Sequence, residues 1–237
     1  MVSKVGVVIV SAGKGKRLAK GDKATLRLSG KPLFCKALLS FKSIKGIKEI
    51  VLVLRKENLP LARKQISSKG GSASGRKAKN ITLVEGGVKR ADSVFKGLLA
   101  LSENIEYVLI HDAARPFVTK KTILEILKEL KKHPAVICGL RCPDTLKLVK
   151  KGFVEKTLSR EDVYLVQTPQ GFRKKAIVSA YKRFRGKKLT DDAQILEAIG
   201  KRVKVIYGDI FNFKITYPRD FRLAKIISDE LNLRSRI

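Results

Sequence analysis

The residues best suited to chemistry come directly after a short apolar strand. Val5 to Val10 runs into Ser11-Ala-Gly-Lys-Gly-Lys-Arg17, two glycines set among cations. Gly13 and Gly15 let backbone N–H groups turn inward with no Cβ in the way, while Lys14, Lys16, Arg17 and Lys23 supply positive charge. A phosphate cradle needs those features. The spacing excludes two familiar versions of it. No G-x-x-x-x-G-K-[ST] occurs, and Leu18 stands where the dinucleotide fingerprint requires its third glycine. What remains, A-G-x-G-x-R with a lysine six residues on, reads either as a nucleotide loop or as a basic turn.

Three more sets of the same kind follow apolar strands: Gly86-Gly87 with Arg90, Asp112-Ala-Ala-Arg115, and Asn212-Phe-Lys214. Open parallel sheets bind ligands at the carboxyl ends of their strands. One such set would pass as a satisfied turn; four at one predicted edge point to a site. Asp112 suits a divalent cation, and its other reading is a strand-end carboxylate paired with Arg115. Arg17, Lys23, Arg115, Arg160 and Lys214 come with no partner nucleophile. There is no G-x-S-x-G elbow and no reactive Cys-His pair, and His111 and His133 form no constellation. A lone histidine in a strand reads as structural. Phosphoryl or nucleotidyl transfer fits this inventory, because the substrate's own phosphate can attack while the protein aligns groups and stabilises charge.

Strands alternating with helical patterns must position these residues, which predicts an α/β fold: a Rossmann-like, mostly parallel sheet with helices on both faces. Strands are expected at Val5 to Val10, Glu49 to Leu54, Ile81 to Val84, Tyr107 to Ile110, Ala135 to Leu140 and Val203 to Tyr207. Helical stripes begin at Leu33, Val94 and Ile123, and further helices are expected around Lys174 to Arg183, from Asp191 and after Pro218. Ser67 to Lys79 breaks all periodicity and reads as a surface loop. From Arg141 to Val166 the pattern changes to short alternating pieces around Lys151-Gly152, a protruding β-hairpin arm. The expected organisation is one domain over 1–237 with that arm at about 141–166.

The chain has 237 residues, 44% of them apolar, so a sizeable core can be buried. Its apolar runs are too short to span a bilayer and its start lacks signal-peptide character, which makes the cytoplasm the expected compartment. Cys35, Cys138 and Cys142 read as buried free thiols, with no cluster that completes a zinc site. The net charge of +31 raises nucleic acid as a partner. The lysines are dispersed over the whole chain, though, without an RNA-binding aromatic motif, basic zipper or zinc finger. A positive field would in any case draw in small phosphorylated substrates.

Taken together, Ser11-Ala-Gly-Lys-Gly-Lys-Arg17, Gly86-Gly-Val-Lys-Arg-Ala-Asp-Ser93, His111-Asp-Ala-Ala-Arg-Pro116, Asp144-Thr-Leu-Lys147, Gln167-Thr-Pro-Gln170, Thr190-Asp-Asp192 and Asn212-Phe-Lys-Ile-Thr216 resemble one known family. It is the 2-C-methyl-D-erythritol 4-phosphate cytidylyltransferases of the non-mevalonate isoprenoid pathway. The motifs run in family order from residue 3 to about residue 230. The resemblance implies a magnesium- and CTP-dependent reaction in which the substrate phosphate attacks the α-phosphorus and expels pyrophosphate. By motif match, Arg17 and Lys23 would stabilise the pentacoordinate transition state. Ala12, Gly13, Gly15, Gly87 and Ser93 would cradle the nucleotide. Asp112, Arg115, Thr168, Thr190 and Lys214 would surround the sugar phosphate and magnesium. Thr145 and Arg160 lie in the arm, which in this family crosses to the other subunit of a homodimer.

Two departures stand out. The family's Pro-Lys-Gln around the catalytic lysine is Asp22-Lys23-Ala24 here, with the connection from Arg17 one residue shorter, and Asp22 could pair with Lys23 in competition with phosphate. Lys23 nevertheless keeps the family spacing to Leu33. Ribitol 5-phosphate cytidylyltransferases share much of this motif set. A nucleic-acid-binding protein on an inactive transferase fold is the rival of another class; it would lack the strand-end residues, which are intact.

Overall fold

Runs of Val, Ile and Leu too short for helices form strands buried on both faces, and amphipathic segments between them cover the sheet. The computed structural model describes residues 4–13, 25–67, 80–184 and 189–234. The chain opens with β1 (Val5–Ser11), a small pair β2 (Arg27–Leu28) and β3 (Lys31–Pro32), α1 (Leu33–Lys42), β4 (Ile47–Leu54) and α2 (Leu59–Ser67). It continues through β5 (Asn80–Glu85), α3 (Arg90–Leu99), β6 (Tyr107–Asp112), α4 (Lys120–Glu129) and β7 (Ala135–Arg141). An outlying pair, β8 (Leu146–Lys150) and β9 (Phe153–Leu158), precedes β10 (Tyr164–Arg173). The last elements are α5 (Lys174–Arg183), α6 (Ala193–Glu197), β11 (Val203–Tyr207) and α7 (Pro218–Arg234).

Seven strands make the main sheet in the order β11-β7-β10-β6-β1-β4-β5. β10 is antiparallel to both of its neighbours, while β1, β4, β5 and β6, and separately β7 and β11, pair in parallel. One face packs Phe34 and Phe41 of α1 with Ile123 and Ile126 of α4. The other packs Val94 and Leu98 of α3 with Ile177 of α5 and Ile195 of α6. α3 sits so close that a Cβ at Gly97 would lie 2.4 Å from Val8 Cγ1, which fixes its height above β1. Among the described residues, no helix is long and apolar enough to cross a membrane.

The expected α/β class, the six strands and the hairpin arm are all present. One boundary changes. Tyr164 to Val166, assigned to the arm by alternation, begins β10 of the main sheet, so the part that stands outside it is Leu146–Leu158. Pro169 and Gly171 argue against a strand here. β10 accommodates them through a register shift against β7 between Gln167 and Gln170. α2 also went unread: Ser67 closes that helix, and the rest of the segment expected as a loop lies outside the described residues.

Candidate active site

Register brings the strand ends to one level. Val10 lies opposite Asp112, Ser11 opposite Leu54, and Leu54 opposite Glu85. A cavity of about 1130 Å³ opens at this rim, bounded by Ser11, Ala12 and Gly13, by Gly86 to Arg90, and by Asp112 and Lys214. Two glycines shape it by close approach. A Cβ at Gly86 would lie 2.4 Å from that of Ala12, and one at Gly87 would lie 2.3 Å from Asp92 Cβ. The loop can therefore press against the start of α3. There the Gly87 N–H donates to Ser93 Oγ at 3.0 Å, and the Lys89 N–H donates to Asp92 Oδ2 at 3.0 Å. The Ser93 hydroxyl donates onward to the Lys89 carbonyl at 3.2 Å. Ser93 thus holds the loop's shape as well as bordering the cavity.

Asp112 is the charged centre of the floor. Arg90 Nε donates to its Oδ1 at 3.0 Å, and Lys214 Nζ donates to its Oδ2 at 2.5 Å. Burial alone would raise the Asp112 pKa; Arg90 and Lys214 outweigh that and hold it far below the usual carboxylate range. The pairing with Arg115 considered from sequence is corrected here. Arg115 instead donates to the carbonyls of Asn212 at 2.7 Å and Val166 at 3.3 Å, because the turn after β6 carries its guanidinium away toward β10. Burial lowers the Arg115 pKa, and its Nε is buried without a hydrogen-bond partner. An acidic oxygen brought to that guanidinium would meet an incompletely satisfied cation.

His111 is structural, as a lone strand histidine should be. It is fully buried, with Nε2 3.0 Å from the Arg115 carbonyl and Nδ1 3.0 Å from Thr168 Oγ1. A carbonyl only accepts, so Nε2 carries the proton and Nδ1 accepts from Thr168. Thr168 Oγ1 in turn accepts the Asp112 N–H at 3.1 Å. Burial pushes the His111 pKa down to about 4 from its ordinary 6.5. The folded form therefore excludes a proton that the unfolded chain takes up below pH 6.5. Stability from this residue is complete above pH 6.5 and is lost as pH falls toward 4, by roughly 3 kcal/mol in all. Urea unfolding across that window should show the decline, and a His111→Gln variant, less stable at neutral pH, should show a flatter profile.

The expected site residues divide into groups. Ala12, Gly13, Gly87, Ser93, Asp112 and Lys214 border the cavity. Arg115 and the buried Thr168 stand behind Asp112, and Thr190 holds the Gln194 side chain through its N–H at 2.9 Å. Thr145 and Arg160 are exposed at the root of the arm, where Arg160 donates to the Pro143 carbonyl. Gly15, Arg17 and Lys23, with Asp22, lie outside the described residues. Sequence reasoning missed Arg55, Lys56 and Glu57, which also line the cavity. The strand-end rule applied to Glu49–Leu54 would have found them.

A protein-built magnesium cage does not fit these residues. Among the described residues no three His, Cys, Asp or Glu side chains converge, and the Asp112 carboxylate already has a cation on each oxygen. Magnesium often keeps few protein ligands and rides on substrate phosphates instead.

Comparison with known proteins agrees with the geometry. Residues 5–230 match the family model IspD, 2-C-methyl-D-erythritol 4-phosphate cytidylyltransferase. A protein of that name from Clostridium botulinum is 38% identical over 234 residues, covering 97% of this chain and 100% of its own. One from Bacillus mycoides is 35% identical over 225 residues, covering 92% and 95%. Among solved structures, the 4-diphosphocytidyl-2C-methyl-D-erythritol synthase of Anaerococcus prevotii is similar with a TM-score of 0.82 and 32% identity, covering 95% of this chain and 96% of that one. The 2-C-methyl-D-erythritol 4-phosphate cytidylyltransferase of Thermus thermophilus gives 0.75 and 32%, covering 96% and 98%. A match running through every strand of the sheet and both walls of the cavity places this chain in the 2-C-methyl-D-erythritol 4-phosphate cytidylyltransferase family.

Proposed function

We propose that the cavity at the strand ends transfers CMP from CTP to 2-C-methyl-D-erythritol 4-phosphate and releases pyrophosphate, a step in making isoprenoid precursors. The observation that carries this reading is the Lys214–Asp112–Arg90 cluster on the floor of a glycine-walled cavity. One oxygen of the acceptor phosphate attacks the α-phosphorus of CTP. The bond from that phosphorus to the oxygen bridging to the β-phosphorus breaks, and its electron pair leaves with pyrophosphate. No protein nucleophile is required, and the charge that develops calls for cations.

In this reading Ala12, Gly13, Gly15, Gly87 and Ser93 hold the nucleotide, with Arg17 and Lys23 on its phosphates. Asp112, Arg115, Thr168, Thr190 and Lys214 surround the sugar phosphate, Asp112 and Lys214 from the cavity floor and Arg115 and Thr168 from behind it. Magnesium would enter on the triphosphate, where it neutralises phosphate charge, with Asp112 among the carboxylates that line the cavity. The enzyme would work in the cytoplasm as a homodimer joined by the Leu146–Leu158 arms, on small phosphorylated substrates rather than nucleic acid. Support for the dimer is the arm itself: Phe153 is 79% exposed and Val154 60%, more apolar surface than a two-stranded ribbon sustains alone.

The test is pyrophosphate release by purified protein given CTP, magnesium and either methylerythritol phosphate or ribitol phosphate. Release is expected with the first and only in its presence. Positional isotope exchange within CTP without any acceptor would count against direct displacement. Preference for ribitol phosphate would reassign the acceptor.

A further inference from the structure

Behind the cavity floor, Arg90 does more than pair with Asp112. Its two terminal nitrogens donate to both oxygens of Asp192, at 3.0 and 2.7 Å, while Nε faces Asp112 Oδ1 at 3.0 Å. Asp192 is completely buried. The Tyr181 hydroxyl donates to its Oδ1 at 2.6 Å, and its backbone N–H donates to Gln170 Oε1 at 3.1 Å. Four elements meet in this chain of contacts: Asp192 immediately precedes α6, Tyr181 is on α5, Arg90 opens α3, and Asp112 ends β6.

Geometry gives the chain a purpose that stability does not. A buried ion pair contributes little net stability compared with apolar residues of the same volume. A guanidinium, however, is planar and rigid, so a two-point grip on one carboxylate fixes the direction of its remaining N–H. With its fork held by Asp192, Arg90 Nε can point only along one line. That line ends on Asp112 Oδ1 and so sets the rotation of the carboxylate. The other oxygen is thereby turned to Lys214 Nζ, 2.5 Å away. Lysine has a flexible stem and an ammonium with no directional preference of its own. Its place in the cavity is therefore borrowed from Asp112, and through Arg90 from Asp192. Burial would lower the Arg90 pKa, but Asp192 and Asp112 raise it well above its ordinary value, so the guanidinium stays charged.

We infer that Arg90 and Asp192, braced by Tyr181, are positioning residues that act through Asp112 to hold the Lys214 ammonium in the cavity. The inference rests on the reaction proposed above. Neither Asp192 nor Tyr181 faces the cavity, so both can be changed without touching the nucleotide.

The experiment is a double-mutant cycle read in kcat and in the KM for CTP. Asp192→Asn keeps the shape but releases one arm of the fork; it is expected to lower kcat by about 10- to 100-fold with the KM for CTP changed less than about threefold. Tyr181→Phe removes one hydroxyl and should lower kcat by about three- to tenfold. Each change is then combined with Lys214→Ala. If the relay acts through Lys214, the double variants will be no slower than Lys214→Ala alone. Losses that multiply in full would overturn the inference, and so would single variants with wild-type kcat. Should Asp192→Asn fail to fold, as melting curves would show, the Tyr181→Phe cycle decides alone. A wild-type enzyme without cytidylyl transfer would instead remove the function on which the inference rests, a result separate from either cycle.

Discussion

Lys214→Ala is expected to lower kcat by about 10²–10³-fold while the KM for CTP stays within about threefold. The size follows from where the ammonium stands. It reaches the cavity floor on the end of Asp112, whose other oxygen is paired with Arg90. In the proposed reaction, deleting it would remove a cation from the acceptor side and leave a less compensated carboxylate facing an incoming phosphate. Both effects oppose the attack, and both grow as negative charge accumulates at the transition state. Steady-state kinetics with each substrate varied, together with calorimetric CTP binding, will separate the terms. A normal kcat with only the acceptor KM raised would make Lys214 a binding residue and no more. Arg17→Ala and Lys23→Ala are expected to show the same split. A silent Lys23→Ala beside a damaging Lys20→Ala would shift the catalytic lysine to the other side of the shortened connection.

The second large effect is a recovery. Arg160→Ala and Lys214→Ala proteins should each be poorly active, yet equal amounts allowed to exchange subunits should regain about a quarter of wild-type activity. Arg160 lies on the strand-to-strand return at the root of the arm, exposed and on the Pro143 carbonyl, outside the cavity of its own chain. A guanidinium there suits bidentate capture of a phosphate presented by another molecule. If the arms cross in a two-fold dimer, half of all dimers formed on mixing are mixed, and half of their sites keep both residues. The two marked subunits can be separated by tag to verify exchange. Exchange without recovery would put Arg160 in its own subunit's site or outside catalysis.

The strands whose ends build the cavity were legible because a strand buried on both faces leaves an unbroken apolar run, as in Val5 to Val10 and Glu49 to Leu54. Asp112, which closes such a run, was legible for the same reason; Lys214 was expected directly after a strand but lies farther on, in the irregular segment between β11 (Val203–Tyr207) and α7. β10 was not, because Pro169 and Gly171 are poor strand residues whose place is secured only by neighbours on both sides. For Asp112 the sequence suggested a divalent cation and, as the other reading, a pairing with Arg115 three residues away; the contacts correct only the pairing. Its actual partners, Arg90 and Lys214, are 22 and 102 residues distant. No local pattern carries a contact of that span. The Tyr181–Asp192 bond escaped for a different reason: eleven residues apart, its members sit within α5 and just ahead of α6, helices whose apolar stripes say nothing about a buried carboxylate.

The reversed direction of β10 has a topological consequence. A chain that leaves a parallel strand at its carboxyl end normally needs a crossover to re-enter the sheet at the opposite end. Between β7 and β10 it does not, since Arg141 pairs with Tyr164 and both lie on the rim where the chain departed. Whatever is spliced between them must emerge beside the ligand cavity, whether it is short or long. The sheet's hydrogen bonds are indifferent to that length. The interval is thus a built-in insertion port, a place where this architecture can trade one reach or one partner for another while the floor of the site keeps its register.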